Sequence, residues 1–296
     1  MHILIVRNNS NPKAIDASLL LGTYLASQNI TFSILDSFDT MTDWAADVAS
    51  KAFESDEGLA VALGGDGTIL RTARLLAGMN IPILGINFGH LGFLANSADD
   101  GVITIVAEAL ADAVTPERRA NMRIDVVLDG ETDPYDDDAN LAGYDATPHT
   151  FFSLNEMAIT RGTMGRIIDF SVDISDANMA SMRGDGLVVA TATGSTAYAL
   201  SAGGPLVAPS FMGLIVVPLA PHTIRSRAVL TGENDVVRID LEDNYATREA
   251  TLFVDGELVP FEAPIRRIYV RRGSEPTVLL RHSGENFYEH AAKTFF

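Results

Sequence analysis

The 296-residue sequence contains no cysteine. This absence excludes disulfide scaffolds, cysteine-ligated zinc, iron–sulfur clusters and thiol catalysis, and it fits a reducing compartment. Positive charge is also scarce, because 21 Lys and Arg residues stand against 39 Asp and Glu residues, for a formal net charge of -18. Such a balance argues against a general nucleic-acid binder or an anionic-membrane binder.

Long apolar runs and targeting signals are missing as well. The most extended apolar stretch, around Phe211 to Pro221, is too short to span a bilayer. The start, MHILIV, carries no basic leader. We therefore expect a soluble, cytoplasmic protein with no membrane and no nucleic-acid partner. Its 47% hydrophobic residues are enough for the two domains that this length predicts.

Two different patterns of apolar residues divide the chain into two parts. Up to about residue 120, apolar runs at 2–6, 31–35, 59–63 and 81–86 alternate with helix-period segments at 12–27, 44–53 and after Gly67. This alternation predicts a Rossmann-like parallel sheet flanked by helices. From about Asn121, short alternating runs at 123–128, 151–160, 167–174 and 187–191 predict a mostly-β, sandwich-like or barrel-like domain.

The predicted fold class is therefore a two-domain α+β protein. We place an α/β domain at 1–120, a β-rich domain at 121–272, and a C-terminal segment at 273–296 that packs on the first domain or on another subunit. The acidic, turn-rich segment 129–145 is interpreted as a solvated hairpin extension. A calcium site at Asp136, Asp137 and Asp138 is the alternative, although the ligand spacing and turn glycine of an EF-hand loop are missing.

The most informative local feature is Gly64-Gly65-Asp66-Gly67-Thr68, which follows an apolar run and precedes an amphipathic helix pattern. Ligands of open α/β sheets bind at that edge. Glycines allow left-handed backbone and close approach to a ligand, and amides at a helix N-terminus favour phosphate oxygens. The loop therefore predicts a phosphate cradle. It is not a P-loop, which needs a Lys after the last Gly, nor a dinucleotide fingerprint, which needs a Gly where Leu70 stands.

The Asp66 carboxylate in this loop needs its own explanation, because it would repel a bare phosphate. We interpret it as the group that orients a hydroxyl, or accepts its proton, while that hydroxyl attacks a phosphoryl group. The alternative is that Asp66 only caps the following helix.

A second cluster, GDGLVVATATGSTAYALSAGGP at 184–205, predicts a strand, a Gly/Ser/Thr turn and a short helix. Its hydroxyls and amides suit ribose and phosphate, and Tyr198 is available to contact a base. Ser195 is not a nucleophile elbow, because G-x-S-x-G is absent there. A purely structural turn with a Ser or Thr N-cap is an equally open interpretation.

Other polar positions stand in apolar surroundings. Asn155 and Glu156 interrupt an apolar strand, where they either bind hydroxyl and amide edges or form a satisfied pair at a strand end. His222 is either a phosphate or base contact or a structural residue. Asp255-Gly256 predicts a hairpin turn from which no chemistry follows.

In this order, GGDGT, Asn155-Glu156, GDGLVVATATGSTAYALSAGGP and PLAPHTIRSR closely resemble the bacterial NAD kinase family. GGDGT alone is shared with diacylglycerol and sphingosine kinases, whereas the TGSTAY block is far more specific. The motifs extend from Gly64 to Asp255 and thus cover most of the chain. The resemblance implies an N-terminal α/β domain and a C-terminal β-sandwich-like domain. It also implies transfer of a phosphoryl group from ATP, or in some members polyphosphate, to the adenosine ribose 2′-hydroxyl of NAD.

The resemblance implies roles for single residues as well. It makes Asp66 the proton acceptor, in a phosphate loop with Gly64, Gly65 and Thr68. The implied NAD contacts are Gly67, Arg71, Phe93, Asn155, Glu156, Arg166, Arg183, Asp185, Thr196, Ala197, Tyr198, Ala199, Leu200 and Ser201. Phe93, in the family-like segment GHLGF, would lie against the adenine, and His222 and Glu257 are further candidate contacts. Mg²⁺ or another divalent cation is expected to arrive with ATP, and homodimers or homotetramers are expected.

Three departures from the family pattern matter. Ala192 replaces a Pro in T-P-T-G-S, which removes rigidity but no ligand group. Ala228 replaces the Pro of an Arg-Pro pair whose Arg is retained as Arg227, and Glu257 replaces a frequent Gln contact.

Two other functions remain as alternatives at this point. A lipid kinase of the diacylglycerol or sphingosine type would share the loop, but the -18 charge and the lack of a basic amphipathic helix count against it. A non-catalytic dinucleotide sensor would have no need for a proton acceptor such as Asp66.

Overall fold

The computed structural model describes residues 1–55, 57–89, 91–135, 149–222, 226–282 and 286–296. Three features named above lie outside these residues: the Asp136–Asp138 alternative, His90 of GHLGF, and positions 223–225 of PLAPHTIRSR. The chain divides into two compact units. Unit 1 comprises Met1–Arg119 and Glu275–Phe296, and unit 2 comprises Ala120–Ser274.

Unit 1 begins with alternating strands and helices. Its elements up to Arg119 are β1 (His2–Arg7), α1 (Pro12–Ser27), β2 (Thr31–Asp36), α2 (Asp43–Ala52), β3 (Gly58–Leu63), α3 (Asp66–Leu75), β4 (Ile83–Asn87), β5 (Asn96–Ser97), α4 (Val102–Leu110) and β6 (Thr115–Arg119). Local signals set the helix starts. Asn11 caps α1 before Pro12, and the Thr42 hydroxyl accepts from the Ala45 amide to cap α2.

Unit 2 is built almost entirely of strands. Its elements are β7 (Met122–Leu128), β8 (Thr150–Ser153), β9 (Glu156–Thr160), β10 (Ile168–Ile174), β11 (Ala177–Gly184), β12 (Gly186–Ala190), a 3₁₀ turn (Thr193–Thr196), α5 (Tyr198–Ser201), β13 (Ile215–Leu219), β14 (Val229–Leu230), β15 (Val237–Leu241), a 3₁₀ turn (Thr247–Glu249), β16 (Thr251–Val254), β17 (Glu257–Val259) and β18 (Ile265–Arg272). The chain then returns to unit 1 with β19 (Thr277–Arg281) and α6 (Phe287–Phe295).

The sheet of unit 1 has the strand order β2-β1-β3-β4-β19-β6, with β5 paired to β4. The pairs β2/β1, β1/β3, β3/β4 and β4/β19 are parallel, and only β19/β6 is antiparallel among the pairs along this path. Apolar residues of β1, β3 and β4 pack in one core with residues of α1 and α4, including Ile5, Leu21, Val61 and Ile105. The Rossmann-like parallel sheet predicted for the N-terminal part is confirmed.

Unit 2 contains two sheets among the described residues, with the orders β11-β10-β15-β18-β7-β8 and β14-β13-β12-β9-β16-β17. Side chains from both sheets share one buried core, which includes Ile124, Met157, Phe170, Val189 and Ile268. Two antiparallel sheets around a common core form a sandwich, so the mostly-β prediction for this half is confirmed.

The predicted single strand at 151–160 is wrong. Met122 of β7 pairs with Ser153 of β8, in the first sheet of unit 2. Glu156 starts β9, which pairs with β12 and β16 in the second sheet. The chain changes sheets at Leu154 and Asn155, because side chains and backbone from elsewhere hold that break, as described below.

The solvated interpretation of 129–145 is confirmed for the exposed residues 129–132 and wrong at Asp133 and Tyr135, which are buried. The Asp133 side chain has no exposed surface and forms an ion pair with Arg267 at 2.8 Å. The Tyr135 ring packs edge-on against Tyr269, with ring centroids 4.6 Å apart, and its hydroxyl donates to Asp125 at 3.0 Å. These residues therefore cover charged groups on β7 and β18, and residues 136–145 lie outside the described part of the chain.

Candidate active site

Asp66 is the first residue of α3 and is separated from the parallel strand β3 by Gly64 and Gly65. Gly65 is the N-cap of that helix, and no side chain caps it. The Asp66 carboxylate instead accepts the backbone amides of Phe93 at 2.9 Å and Leu94 at 3.3 Å. The capping interpretation of Asp66 is therefore wrong, and the carboxylate is held by a loop distant in sequence.

Burial and hydrogen bonds shift the pKa of Asp66 in opposite directions. Burial raises the pKa of this carboxyl above its ordinary value, because the charged form loses water. The amides of Phe93, Leu94 and Ala95 and the positive charge of Arg281 oppose that rise in pKa. A partly buried carboxylate held in one orientation by donors is suited to accept a proton from an incoming hydroxyl.

The glycines around Asp66 do not act through left-handed backbone. None of Gly64, Gly65 and Gly67 has a positive φ. A side chain at Gly64 would overlap Thr68, so this glycine permits close packing of the loop on its own helix. Gly65 has no atom within 4 Å of where a Cβ would stand, and Gly67 has only the Arg71 guanidinium at 3.9 Å. The loop therefore exposes its backbone to an approaching ligand because it lacks side chains, and not because of the predicted left-handed conformation.

Arg71 and Phe93 are also in unit 1. The Arg71 guanidinium lies over the Phe38 ring, 4.4 Å from its centroid. The Phe93 ring is stacked on Phe295 of α6 at 5.6 Å between centroids, with 8° between the planes, and meets His290 edge-on at 4.5 Å. Part of the Phe93 ring, which is the predicted adenine contact, is thus covered by the terminal helix α6.

A cavity of about 740 Å³ opens in unit 2. Four predicted NAD contacts line it, namely Glu156, Asp185, Tyr198 and Ser201. Its other lining residues are Ala158, Thr160, Arg161, Ala202, Leu219, Ala220, Phe253 and Gly256. Its volume and its mixture of apolar surface with a few polar groups are typical of a small-molecule site.

Glu156 is the buried acid of this cavity, with 6% of its surface exposed. One carboxyl oxygen accepts the backbone amide of Tyr198. The other, Oε2, is buried and has no hydrogen-bond partner among the described residues. Burial, and next the negative charge of Asp255, raise the pKa of Glu156 to about 7. Glu156 is thus neither a solvated nor a fully satisfied acid, and its free oxygen is placed for a ligand hydroxyl.

Asp255 creates the strand break next to Glu156. Its carboxylate accepts the Ser153 hydroxyl at 2.6 Å and the backbone amides of residues 154, 155 and 156 at 3.1, 2.8 and 3.3 Å. These amides would otherwise continue a strand ladder. The predicted turn is present, since residues 255 and 256 connect β16 to β17. The role of this turn is structural, because its carboxylate turns the chain so that Glu156 lies at the cavity.

The 3₁₀ turn after β12 has a structural and a cavity-facing part. Thr191 donates to the Leu154 carbonyl at 2.6 Å, and the buried Ser195 hydroxyl exchanges hydrogen bonds with Val207. A side chain at Gly194 would overlap the Asn155 backbone. The structural interpretation therefore holds for the 3₁₀ turn. Of this turn and the following helix α5, only Tyr198 and Ser201 of α5 line the cavity.

Asp185 is placed at the cavity between two glycines. Gly186 has φ 150°, and a side chain there would overlap the Ile159 carbonyl of the neighbouring strand. Asp185 forms an ion pair with Arg161 at 3.2 Å. The two glycines thus allow close approach of the neighbouring strands. The Asp185 carboxylate between them is at the cavity and is paired with Arg161.

The other predicted contacts of unit 2 do not line this cavity. Arg166 lies over the Tyr245 ring at 4.7 Å, and Arg183 pairs with Asp169 at 2.7 Å. The backbone amide of His222 donates to the Arg183 carbonyl at 2.8 Å. Asn155, Thr196, Ala197, Ala199, Leu200 and Glu257 are beside the lining residues in sequence but are not among them.

Several lining residues were not predicted. Arg161 immediately follows β9, and Phe253 faces the cavity from β16. Leu219 is the last residue of β13, and Ala220, with a φ of 40°, follows it. Phe253 and Leu219 are apolar and resemble core residues in the sequence, so only Arg161, next to a predicted strand end, carried a usable signal.

Within the described ranges, no group of three or more His, Asp or Glu side chains is arranged to hold a metal ion. In the same part of the chain, no helix is both long and apolar enough to cross a membrane.

Two family models match the chain. Residues 6–116 match the ATP-NAD kinase N-terminal domain, and residues 154–282 match the ATP-NAD kinase C-terminal domain. Among curated proteins, an NAD kinase of Nitrosospira multiformis is 33% identical over 289 residues, which covers 97% of this chain and 92% of that protein. An NAD kinase of Cupriavidus pinatubonensis is 35% identical over 230 residues, covering 78% of this chain and 70% of its own length.

Solved structures show the same fold. A yeast NADH kinase complexed with NADH superposes with a TM-score of 0.79 at 18% identity, covering 99% of this chain and 87% of the other. An NAD kinase from Archaeoglobus fulgidus in complex with ATP has a TM-score of 0.67 at 22% identity, covering 96% and 94%. At these identities the likeness establishes the two-domain fold.

Proposed function

The chain belongs to the NAD kinase family, and we propose that it transfers the γ-phosphoryl group of ATP to the adenosine ribose 2′-hydroxyl of NAD, giving NADP. It is a phosphotransferase with an alcohol group as acceptor. The observation that carries the assignment of roles is the placement of Asp66. It is a partly buried carboxylate in the loop that follows a central parallel strand, beside exposed loop backbone and held by amides of another loop.

In the proposed reaction, Asp66 accepts the proton of the 2′-hydroxyl. The 2′-oxygen forms a bond to the γ-phosphorus, and the bond from that phosphorus to the β,γ-bridging oxygen breaks, so that ADP leaves. Such a transfer has a loose transition state and depends mainly on alignment and charge neutralisation. A divalent cation, Mg²⁺ or a similar ion, enters with ATP as part of the substrate and neutralises phosphate charge.

We assign NAD to the cavity of unit 2. The unpartnered Oε2 atom of Glu156 supports this assignment, because a buried oxygen without a protein partner is suited to a ribose hydroxyl. Ser201 adds a hydroxyl and Tyr198 an aromatic ring to the lining. The contacts of Arg71, Phe93, Asn155, Arg166 and Arg183 with NAD stay predictions.

Location and assembly belong to the proposal as well. A cytoplasmic location is supported by the absence of cysteine, which fits a reducing compartment. A homodimer or homotetramer is supported by exposed Leu230 and Leu258, on the outermost strands of the second sheet of unit 2. Light scattering after size-exclusion chromatography measures the oligomer directly.

The deciding experiment measures NADP made from NAD and Mg-ATP with an NADP-specific dehydrogenase. We expect Asp66→Asn to lower turnover at least about a hundredfold, because Asn cannot take the proton, while NAD binding stays unchanged. Asp43→Asn is the matched control, since Asp43 is also the first residue of a helix but is exposed.

Each outcome separates the alternatives. An Asp66→Asn variant that keeps most of its activity would refute the base assignment. Wild-type protein that binds NAD but forms no NADP, with ATP or with polyphosphate, would favour a dinucleotide sensor. Phosphorylation of diacylglycerol or sphingosine instead of NAD would favour the lipid-kinase alternative.

A further inference from the structure

The loop at residues 93–95 lies between two charged side chains of unit 1. On one side, its amides point to Asp66, with Phe93 N at 2.9 Å and Leu94 N at 3.3 Å from the carboxylate. A Cβ atom at Gly92 would overlap that carboxylate, so the loop fits closely against it. Any displacement of this loop therefore displaces the donors that hold Asp66.

On the other side, the carbonyls of the same loop face Arg281, near the end of the chain on β19. Its Nη2 donates to the Phe93 carbonyl at 2.7 Å, and its Nη1 donates to the Leu94 carbonyl at 2.9 Å and to that of Ala95 at 3.4 Å. A guanidinium can serve three carbonyls at once because its donors form a rigid planar fork. A lysine ammonium has no such fixed geometry.

The two sets of hydrogen bonds share peptide groups. The peptide between Phe93 and Leu94 donates its N–H to Asp66 and offers its C=O to Arg281. Hydrogen bonds in such a chain polarise one another, so the positive charge strengthens the donors that face the carboxylate. The positive charge of Arg281 also lowers the pKa of Asp66 against the rise caused by burial.

Arg281 is itself fixed in place. Its Nε donates to Glu117 at 2.7 Å, and Glu117 also pairs with the buried Arg119 at 3.1 Å. Glu117 lies on β6, which pairs with β19 in antiparallel fashion. The C-terminal return of the chain into the sheet of unit 1 thus brings a charged group behind the loop.

We propose that Arg281 is a positioning residue for the phosphoryl-transfer reaction, holding loop 93–95 so that its amides orient the Asp66 carboxylate and keep it ready to accept a proton. The inference depends on the proposed function, in which Asp66 is the base. Arg281 does not need to touch either substrate for this role.

The test is the pH dependence of turnover in Arg281→Met and Arg281→Lys. Asp66 works as a base only when it is deprotonated, so loss of the positive charge should move the acid limb of kcat to higher pH. For Arg281→Met we expect a shift of about one pH unit and a loss of about tenfold or more in kcat at neutral pH, with KM for NAD within about twofold of wild type. Arg281→Lys keeps the charge but not the fork. Its acid limb should therefore stay near that of the wild type, with an intermediate kcat.

Arg118→Met is the matched control, because Arg118 is exposed on β6 and pairs with Val278 of the same strand β19. It should leave both kcat and the pH profile unchanged. Thermal unfolding of each variant identifies any that fails to fold. If Arg281→Met does so, the Lys variant alone still tests the inference, since a wild-type kcat in it would show that the fork is not needed.

The outcomes distinguish this inference from the proposed function. An inactive Asp66→Asn variant together with a shifted acid limb in Arg281→Met supports both. An inactive Asp66→Asn variant with an unshifted limb, or with equal loss of activity at every pH, overturns the positioning role and leaves the base assignment intact. An active Asp66→Asn variant overturns both.

Discussion

Glu156→Gln should remove a pH-dependent cost to the stability of unit 2. The pKa of this carboxyl lies at about 7 in the folded protein, against an ordinary value of 4.5, because burial and the nearby Asp255 charge disfavour its ionised form. Between these two values the folded state binds a proton that the unfolded state has released. The free energy of unfolding therefore falls as the pH rises through this window, and the whole cost is present above a pH of about 7.

The size of the effect follows from the separation of the two values. Each pH unit between the folded and unfolded pKa corresponds to about 1.4 kcal/mol, so the interval from 4.5 to about 7 is worth on the order of 3 kcal/mol. Glutamine has nearly the same shape and does not titrate. Relative to wild type, the Gln variant should gain about 3 kcal/mol between about pH 4.5 and about pH 8. A constant offset from the new amide donors cancels when only the pH dependence is compared.

The assay is urea denaturation followed by far-ultraviolet circular dichroism, without NAD, over that pH range. The single tryptophan, Trp44, lies in unit 1, so its fluorescence does not report on this cavity. Glu242→Gln, an exposed change in the same unit, is the matched control and should show no such trend. A difference between wild type and Glu156→Gln that varies by less than about 0.5 kcal/mol across the range would refute the burial argument.

Two further predictions concern unit 1. Gly92→Ala should lower kcat by about a hundredfold without weakening NAD binding, because the added methyl group would overlap the Asp66 carboxylate. Steady-state kinetics and calorimetric titration with NAD measure these two quantities. A wild-type kcat would contradict the prediction. Phe295→Ala should lower the free energy of unfolding of unit 1 by about 1–3 kcal/mol through loss of the stack on Phe93, measured by tryptophan fluorescence in urea. Phe296→Ala, at a side chain that is 97% exposed, should have no effect, and equal effects of both changes would contradict the stacking argument.

The parts of the fold that local pattern determines were predictable. The alternation of apolar runs with helix periods places β1 to β4 and α1 to α3 at nearly their observed positions. The loop at 64–68 follows its strand at the carboxyl end of the sheet for the same reason. In each case the signal lies within a few residues, so the sequence alone is enough.

The parts set by distant residues were not predictable. Asn155 and Glu156 interrupt the apolar run 151–160, but the contacts that separate β8 from β9 come from distant positions, namely the Asp255 carboxylate, about a hundred positions later, and the Thr191 hydroxyl. In the same way, the acidic composition around Asp133 predicts a solvated side chain, whereas in the folded chain it pairs with Arg267 on β18. A pattern search finds neither case, because the partner of each buried charge is known only once the chain has folded.

The loop glycines illustrate a third kind of miss. The motif was placed correctly, but left-handed backbone was expected and is absent at all three glycines. What the sequence determines there is the lack of side chains, which allows Gly64 to pack against Thr68 and leaves Gly65 open. The same residue type thus fits two physical explanations, and only the backbone angles decide between them.

Asp66, which is partly buried, and Glu156, which is buried, show how carboxyl groups of one chain with a charge of -18 can serve different tasks. Burial raises the pKa of both Asp66 and Glu156. At Asp66, loop amides and the charge of Arg281 oppose that rise, whereas at Glu156 the Asp255 charge adds to it. Environments that separate the pKa values of two acids separate their roles. Asp66 is thereby the acid suited to accept a proton, and Glu156, protonated in part near neutral pH, is the one able to donate a hydrogen bond to a ligand oxygen. Acidification should therefore reduce turnover through Asp66 while leaving the protonated form of Glu156 in place to hold the ligand.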